Sequence, residues 1–330
     1  MLVDPSGRTL DYLRVSVTDR CDLRCRFCMP AEGVALRSHE QILRHEEIAA
    51  VVEVAVEEGV RSVRLTGGEP LTRRGILSLV AQLAAIPGLD DLAMTTNGRR
   101  LGAMAAELKA AGLRRVNVGL PSLDPTHYRE ITRREGDPAA LVAGLEAALA
   151  CGLTPVKLNV PVLRGLTDHL DPMVELARRL PVEIRFIEYM PLGDAPSDAH
   201  HMRPAELRAQ IAAAVERVTG ARVFGEVGGV AVGRGPARDR MAVPGGLGHL
   251  AIIAGATGHI CASCNRLRLT ADGRLRLCLF SDTELDLTPA LRPRVDREGL
   301  RALLHQAAAS KPFQRVPLTP DHRLMAQIGG

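Results

Sequence analysis

Aromatic residues are scarce in this sequence of 330 residues, since tryptophan is absent and the aromatic fraction is only 2%. So few rings argue against a surface on which nucleic-acid bases stack. Charge of one sign is also lacking, because 42 basic residues face 38 acidic ones, and this balance gives little support to nucleic-acid binding. No run approaches about 18 uncharged apolar residues, which excludes a membrane-spanning helix. Asp4, Asp11 and Asp19 interrupt the region where a signal peptide would be apolar, so we expect a cytoplasmic protein.

The order of apolar segments predicts an α/β fold. Strands are predicted at residues 13–18, 62–65, 92–96, 115–120, 156–162 and 182–187. Helices are predicted between them at residues 46–58, 75–85, 101–111, 139–150 and 171–179. Such alternation is typical of parallel β-α-β units, and six strands predict either an open sheet or an incomplete barrel. The rhythm breaks after Met190, which predicts a first domain over residues 1–190 and a smaller C-terminal domain over residues 191–330.

Cysteines are the informative part of the composition, because six of the seven fall into two triplets. In an intracellular protein, clustered cysteines indicate metal ligands before they indicate disulfides. Cys151 stands alone in an Ala- and Leu-rich stretch, and we interpret it as a small buried hydrophobic residue. The two triplets are too far apart in sequence for one local site, and they could form two sites that face each other across a cavity. They are Cys21, Cys25 and Cys28 near the start, and Cys261, Cys264 and Cys278 near the end.

The first triplet has the spacing Cys-x3-Cys-x2-Cys and directly follows the first predicted strand. Three thiolates on one loop can hold three irons of a 4Fe-4S cluster and leave the fourth iron open to a small ligand. A zinc site, which usually has four ligands, is the alternative. One strand later the chain reads Gly67-Gly68-Glu69-Pro70, where two glycines allow close approach of the backbone to a ligand. By itself this second motif is equally consistent with a plain turn.

The second triplet has the spacing Cys-x2-Cys-x13-Cys and would also leave one iron of a cluster open. Arg266 and Arg268 follow it two residues apart, so in an extended segment both side chains project to the same face. Two guanidinium groups beside a cluster suit a polyanion, because arginine binds phosphate in a bidentate manner. A zinc ribbon with solvated arginines is the alternative at this site.

These motifs together resemble the radical S-adenosylmethionine superfamily and, within it, the GTP 3′,8-cyclase family of molybdenum cofactor biosynthesis. The resemblance extends over nearly the whole chain. It is carried by the segments 11–21, 64–71, 95–98, 115–118, 185–191 and 261–269, and by the terminal Gly329-Gly330 pair.

The resemblance implies an incomplete (β/α)6 TIM-like barrel with a smaller C-terminal domain that carries a second cluster. It also implies S-adenosylmethionine and two 4Fe-4S clusters as cofactors, held by the two cysteine triplets. The N-terminal cluster would cleave S-adenosylmethionine to a radical that takes hydrogen from ribose C3′ of GTP. Attack of C3′ on guanine C8 would then give (8S)-3′,8-cyclo-7,8-dihydroguanosine 5′-triphosphate. The C-terminal cluster would hold the guanine.

Site residues are carried over only where this sequence matches the family motif, and no residue is assigned as a catalytic acid or base. The implied GTP contacts are Arg14, Arg64, Thr95, Lys157, Arg266, Leu267 and Arg268. The implied S-adenosylmethionine contacts are Phe27, Gly68, Gly119 and Met190. Plain packing is the alternative role of Phe27 and Met190, and a surface salt bridge is the alternative role of Arg14 and Arg64.

Gly119 is a departure from the family pattern. After Val118 the family usually reads Ser-Leu-Asp, whereas this chain reads Gly119-Leu120-Pro121. The serine hydroxyl that would contact S-adenosylmethionine is therefore missing. One lost hydrogen bond is worth on the order of 1 kcal/mol, which would weaken cofactor binding without abolishing it.

The expected partners follow from the resemblance. They are GTP as substrate, a reductant protein whose identity the sequence does not give, and cyclic pyranopterin monophosphate synthase as the next pathway enzyme. Neither nucleic acid nor membrane is expected, and the oligomeric state is left open, with a homodimer as one option. Two other functions stay open: a peptide-modifying radical S-adenosylmethionine enzyme with an auxiliary cluster, and a zinc-binding interaction protein, which would not explain Gly-Gly-Glu-Pro.

Overall fold

One mixed sheet organises the chain in the computed structural model, which describes residues 1–167, 169–190, 200–222, 239–258, 261–314 and 323–329. Its strands are β1 (Tyr12–Ser16), β2 (Ser62–Thr66), β3 (Asp91–Thr96), β4 (Arg115–Gly119), β5 (Lys157–Val162), β6 (Glu183–Glu188), β7 (Asp239–Ala242), β8 (His249–Ile253), β9 (Arg266–Leu269), β10 (Arg274–Arg276) and β11 (Glu284–Asp286). The helices are α1 (His45–Glu57), α2 (Ile76–Ala84), α3 (Leu101–Ala110), α4 (Pro125–Thr132), α5 (Pro138–Ala150), α6 (Asp171–Arg179), α7 (Pro204–Thr219) and α8 (Arg297–Ala309).

The six strands predicted from the sequence are β1 to β6, and they lie side by side in chain order. Two strands from the C-terminal part continue the parallel arrangement, because β9 pairs with β1 at one edge and β8 pairs with β6 at the other. Antiparallel strands β10 and β11 lie beyond β9, and β7 lies beyond β8. The predicted α/β class with an incomplete barrel is therefore confirmed, and the C-terminal residues extend the sheet on both sides.

Apolar and polar residues alternate along the strands, so that one face of the sheet packs into the hydrophobic core and the other face is polar. On β1, Leu13 and Val15 are fully buried in the main hydrophobic core, and on β2 Val63 and Leu65 are buried in the same way. Because successive side chains point to opposite faces of a strand, the residues between them face the other side. The polar residues at those alternate positions are thereby gathered on one face.

Helix α4 is an element that the sequence analysis did not predict. Asp124 caps its N-terminus by accepting a hydrogen bond from the backbone N–H of His127 at 2.8 Å, and Pro125 occupies the first helical position. An aspartate followed directly by proline is a recognised helix start. The signal was therefore present in the sequence.

The predicted domain boundary cannot be placed on the structure, because Pro191 lies outside the described residues, as do residues 223–238 of the glycine-rich segment. The division at residue 190 stays a prediction. Among the helices described, none has the length and apolar character needed to cross a membrane.

Candidate functional site

A cavity of about 390 Å³ is lined by side chains from strands β1 to β9 and from the two loops that carry the C-terminal cysteines. Its charge is strongly biased. The acidic lining residues are Asp11, Asp91 and Glu183. The basic ones are Arg14, Arg64, Arg115, Lys157, Arg185, Arg240, Arg266 and Arg268. Eight basic groups against three carboxylates make this a site for an anion, in a chain whose overall charge is nearly balanced.

Three of these arginines form a row across neighbouring strands. The Cα of Arg14 on β1 is in register with Arg64 on β2 and with Arg268 on β9. Neighbouring strands lie about 4.8 Å apart, so like charges are held side by side. Burial lowers the pKa of Arg14 well below its ordinary value, and the charge of Arg268 lowers it further. Repulsion of this kind is relieved when an anion with several negative charges binds.

The opposite wall is built around Glu183 on β6. Its carboxylate lies 2.5 Å from Arg185 Nε, 3.7 Å from Lys157 Nζ and 3.2 Å from Arg240 Nε. Burial, followed by the charge of Arg185, lowers the pKa of Lys157 to about 8, although Glu183 opposes the shift. Lys157 is therefore a cation in the cavity lining whose charge changes near pH 8.

Neutral acceptors lie between the two charged walls. Thr95 Oγ1, Asn117 Oδ1 and Asn159 Oδ1 are buried and have no hydrogen-bond partner among the described residues. All three residues line the cavity, and Thr95 is in register with Asn117 on the next strand. Buried polar atoms without partners are rare and indicate a ligand that completes them. Hydroxyl and amino groups of a nucleoside have the required donors.

The C-terminal triplet faces this cavity. Cys261, Cys264 and Cys278 all line it, together with Arg266 and Arg268. Burial raises the pKa of the Cys264 thiol, but Lys311 and Arg266 outweigh burial, so the net shift is downward. A thiolate is the form that binds iron, and this environment favours it.

The N-terminal triplet lies on the loop after β1, beside the Gly67-Gly68 loop after β2. A Cβ at Gly68 would lie 2.2 Å from the carbonyl oxygen of Arg20, and Gly67 has a φ of 153°. The loops are joined by hydrogen bonds of 2.7 Å from Gly68 N to Thr18 O and from Glu69 N to Arg20 O. Only glycine permits this close packing of the two backbones.

Burial of the N-terminal thiols opposes their ionisation. It raises the pKa of Cys21 to about 11 and that of Cys28 to about 12, and it raises the pKa of Cys25 as well. A bound metal would supply the positive charge that these thiolates need. In the part of the chain that the structure describes, no three metal-ligating side chains converge on one ion position. Three cysteine thiols on one loop are the donor set by which a 4Fe-4S cluster is held at three of its irons.

Comparison with known proteins shows the family of the chain. The family model described as Radical SAM superfamily matches residues 15–177, and the one described as Molybdenum Cofactor Synthesis C matches residues 182–316. GTP 3′,8-cyclase of Moorella thermoacetica is 46% identical over 335 residues, covering 99% of both chains. The enzyme of the same name from Petrotoga mobilis is 42% identical, covering 100% of both chains. The chain belongs to the GTP 3′,8-cyclase family.

A solved structure supports the fold. Streptococcus suis SuiB bound to S-adenosylmethionine is similar with a TM-score of 0.60 at 14% identity, covering 89% of this chain and 68% of that chain. At this identity the likeness concerns the fold alone.

The structure brings together most of the residues implied by the family motifs as GTP contacts. Six of them line the cavity: Arg14, Arg64, Thr95, Lys157, Arg266 and Arg268. Leu267 does not, because it lies between two cavity-facing arginines on β9 and its side chain is buried in the hydrophobic core. Any contact of Leu267 with a ligand in the cavity is therefore expected through its backbone.

The implied S-adenosylmethionine contacts are more scattered. Met190 lines the cavity, whereas Phe27, Gly68 and Gly119 lie outside its lining. Phe27 packs against a small apolar cluster of Ile131, Leu163, Leu166 and Tyr189. Gly329 lies inside the protein, where its carbonyl oxygen accepts a hydrogen bond from Arg268 at 3.1 Å, while Gly330 lies outside the described residues.

Several cavity residues were not assigned a role from the sequence. They are Tyr12, Arg115, Asn117, Asn159, Glu183, Arg185 and Arg240. A usable signal was present, because β4, β5 and β6 carry polar residues at alternate positions between buried apolar ones. Polar side chains at that period on strands of a parallel barrel indicate a functional interior.

Proposed function

We propose that this chain catalyses the S-adenosylmethionine-dependent cyclisation of GTP to (8S)-3′,8-cyclo-7,8-dihydroguanosine 5′-triphosphate, the first step of molybdenum cofactor biosynthesis. One observation carries the proposal: the row of Arg14, Arg64 and Arg268 lines the same cavity as Cys261, Cys264 and Cys278. A cavity with this donor set suits a nucleoside triphosphate held against a metal centre. Family membership over the whole chain supports the same reading.

Two 4Fe-4S clusters are proposed, one held by Cys21, Cys25 and Cys28 and the other by Cys261, Cys264 and Cys278. When bound, the clusters and S-adenosylmethionine supply the one-electron chemistry that begins the cyclisation. The chain itself binds the substrate, orients it and keeps water out. Phe27, Gly68, Gly119 and Met190 are the proposed S-adenosylmethionine contacts.

Different residues of the cavity are proposed to bind different parts of GTP. The arginine row and Lys157 neutralise the polyphosphate, with Arg185 and Arg240 nearby. Thr95, Asn117 and Asn159 offer acceptors to hydroxyl and amino groups. Arg266, at the start of β9 and two residues after Cys264, is the proposed contact of the base. Such fixed contacts hold the reacting carbon atoms in one geometry. Binding energy used in this way lowers the entropic cost of the reaction and so raises its rate.

A peptide-modifying radical enzyme is the second candidate, since SuiB, which has a similar fold, has also been solved bound to its precursor peptide SuiA. The lining of the cavity argues against it. Eight basic groups around about 390 Å³ favour a compact polyanion over an extended peptide segment. A zinc-binding interaction protein would not explain why Arg14, Arg64 and Arg268 line the cavity.

The remaining partners are part of the proposal. A reductant protein would deliver electrons to the N-terminal cluster, and cyclic pyranopterin monophosphate synthase would take up the product. The proposed location is the cytoplasm, and light scattering would measure the oligomeric state, for which a homodimer is one option.

The deciding experiment is anaerobic. The protein is reconstituted with iron and sulfide and incubated with S-adenosylmethionine, dithionite and GTP, with ATP as the control nucleotide. We expect about eight irons per chain, 5′-deoxyadenosine and the cyclised guanine nucleotide by mass spectrometry, and no product from ATP. Deoxyadenosine without a GTP product would reject the substrate, and about two zincs in place of iron would reject the enzyme class.

A further inference from the structure

Lys311 is a buried lysine that the proposed reaction does not use. It follows helix α8, and its side chain is 5% exposed. Its ammonium group donates hydrogen bonds to two backbone carbonyl oxygens, those of Arg266 and Leu277, both at 2.7 Å. Arg266 comes two residues after Cys264, and Leu277 comes directly before Cys278.

These two carbonyl groups lie at the same end of a hairpin. Strand β9 begins at Arg266, and β10, which pairs with β9 antiparallel, ends one residue before Leu277. The two cysteines leave the hairpin at that open end, where the strands are no longer paired. Lys311 therefore bridges the two arms that carry Cys264 and Cys278.

Arg8 fixes the third cysteine in a related way. Its guanidinium donates to the carbonyl oxygen of Cys261 at 2.6 Å and to that of Pro312, the residue after Lys311, at 2.9 Å. The same group is paired with the fully buried carboxylate of Asp4. Arg8 and Lys311 together attach all three cysteine-bearing segments to one another.

The positive charge of Lys311 interacts favourably with the thiols of Cys264 and Cys278 when these are ionised. Burial lowers the pKa of Lys311, Cys264 and Cys278 oppose that shift, and Arg8 and Arg268 lower it again. None of these neighbours is a carboxylate. An ammonium group excluded from water needs a nearby negative charge, and ligated thiolates would provide it.

We propose that Lys311, supported by Arg8, is a positioning residue for the C-terminal iron–sulfur cluster, holding the arms of Cys264 and Cys278 together and placing a fixed positive charge beside the thiolates. This inference rests on the proposed function, since it requires a cluster at this triplet. Both parts of the role are measurable. Loss of the bridge lowers the iron content of the site, and loss of the charge makes reduction of the cluster less favourable.

Three substitutions separate the bridge from the charge. Lys311→Met has similar length but neither donors nor charge, Lys311→Gln keeps donors without charge, and Lys311→Arg keeps both. Lys109→Met is the matched control, because Lys109 also donates to one backbone carbonyl, that of Gly152 at 2.7 Å, far from any cysteine of the triplets. Each variant is made in the full chain and in a full chain with Cys21, Cys25 and Cys28 replaced by alanine, so that the remaining iron reports on the C-terminal site.

After anaerobic reconstitution, iron per chain is measured, and the midpoint potential is obtained by titration followed with electron paramagnetic resonance. We expect Lys311→Met to lose at least half of the iron of its parent and Lys311→Gln to retain most of it. In both, the midpoint potential of the cluster that forms is expected to be more negative than in the parent. Lys311→Arg and Lys109→Met should match the parent in both measurements.

Two results would overturn the inference. One is unchanged iron and potential in Lys311→Met and Lys311→Gln. The other is loss of iron from both sites in the full chain, which would make Lys311 a residue of the fold in general. A parent that binds no iron after removal of the first triplet would instead reject the second cluster of the proposed function, so the two failures are distinguishable.

Discussion

Arg14 on β1 and Arg268 on β9 occupy registered positions on neighbouring parallel strands, with Arg268 buried. Like charges placed directly opposite each other on a sheet destabilise it. The protein retains this arrangement at the centre of its cavity, with Arg64 on the other side of Arg14. Local rules of stability are commonly broken at functional sites, and three adjacent arginines of this kind suit an anionic ligand.

Replacement of Arg14 by methionine is expected to weaken nucleotide binding and to stabilise the ligand-free protein. A hydrogen bond to a charged group contributes about 1.5–3 kcal/mol, so the affinity for GTP should fall about 10- to 150-fold. Removal of one of three adjacent cations relieves repulsion, so the melting temperature without ligand should rise. Calorimetric titration and thermal unfolding measure the two effects.

Arg178→Met is the control for this pair of effects, because Arg178 is an exposed arginine of α6 paired with Glu175. It should leave both the affinity and the melting temperature close to the parent. If Arg14→Met lowered the melting temperature and kept the affinity, Arg14 would have a structural role only.

Lys157 predicts a pH dependence of anion binding. With a pKa of about 8, caused by burial and then by Arg185, it loses its charge as the pH rises above 8. A polyphosphate binds the protonated form, so affinity for inorganic triphosphate should fall about tenfold per pH unit above 8. Lys157→Arg should remove this dependence, because arginine stays charged, and Lys157→Met should bind weakly with no dependence.

Titration of triphosphate binding between pH 7 and 9 tests this prediction. Because the terminal phosphate of the probe also ionises in this range, the slope of the parent protein is compared with that of Lys157→Met under the same conditions. Equal slopes in the two proteins would assign the titration to a group other than Lys157.

Glu69 predicts a pH dependence of stability. Its carboxylate is 1% exposed and accepts hydrogen bonds from Leu71 N, Thr96 Oγ1 and Asn97 N. Burial raises its pKa from 4.5 to about 7, so the folded protein holds a proton that the unfolded chain has lost between these values. The free energy of unfolding should therefore fall as the pH rises from 4.5 to 7, by up to about 1.36 kcal/mol per pH unit.

Glu69→Gln should lose this component of the slope, although it is also less stable at every pH because one acceptor is lost. The exposed Glu135→Gln should keep it. Denaturant unfolding of the metal-free protein between pH 4.5 and 7 gives the pH slope of the free energy of unfolding for each variant. Equal slopes in the two variants would contradict the assignment of this pH dependence to Glu69.

The sequence predicted the strands β1 to β6 within two residues, because their apolar alternation is local information. It also marked both cysteine triplets. It did not reveal that β9 pairs with β1 and so brings Arg268 beside Arg14, because that pairing joins residues about 250 positions apart. Nor could it assign Lys311, whose two partners are backbone carbonyl groups that carry no signature in the sequence.

The family departure at Gly119 gives the last prediction. Ser122, the nearest serine downstream, lies three residues beyond Gly119 and accepts a hydrogen bond from Asp124 N at 3.1 Å at the start of α4. A Cβ at Gly119 would meet its nearest atom, the carbonyl oxygen of Thr96, at 3.8 Å, which is an ordinary contact. A serine side chain therefore fits at the end of β4.

Gly119→Ser is expected to bind S-adenosylmethionine about fivefold more tightly, which corresponds to about 1 kcal/mol for one added hydrogen bond. Gly119→Ala is the matched control, since it adds the same Cβ without the hydroxyl and should leave the affinity unchanged. Equilibrium binding to the reconstituted protein measures both. An equal gain in the two variants would attribute the effect to a stiffer backbone at the end of β4, and no gain in either would remove Gly119 from the cofactor site.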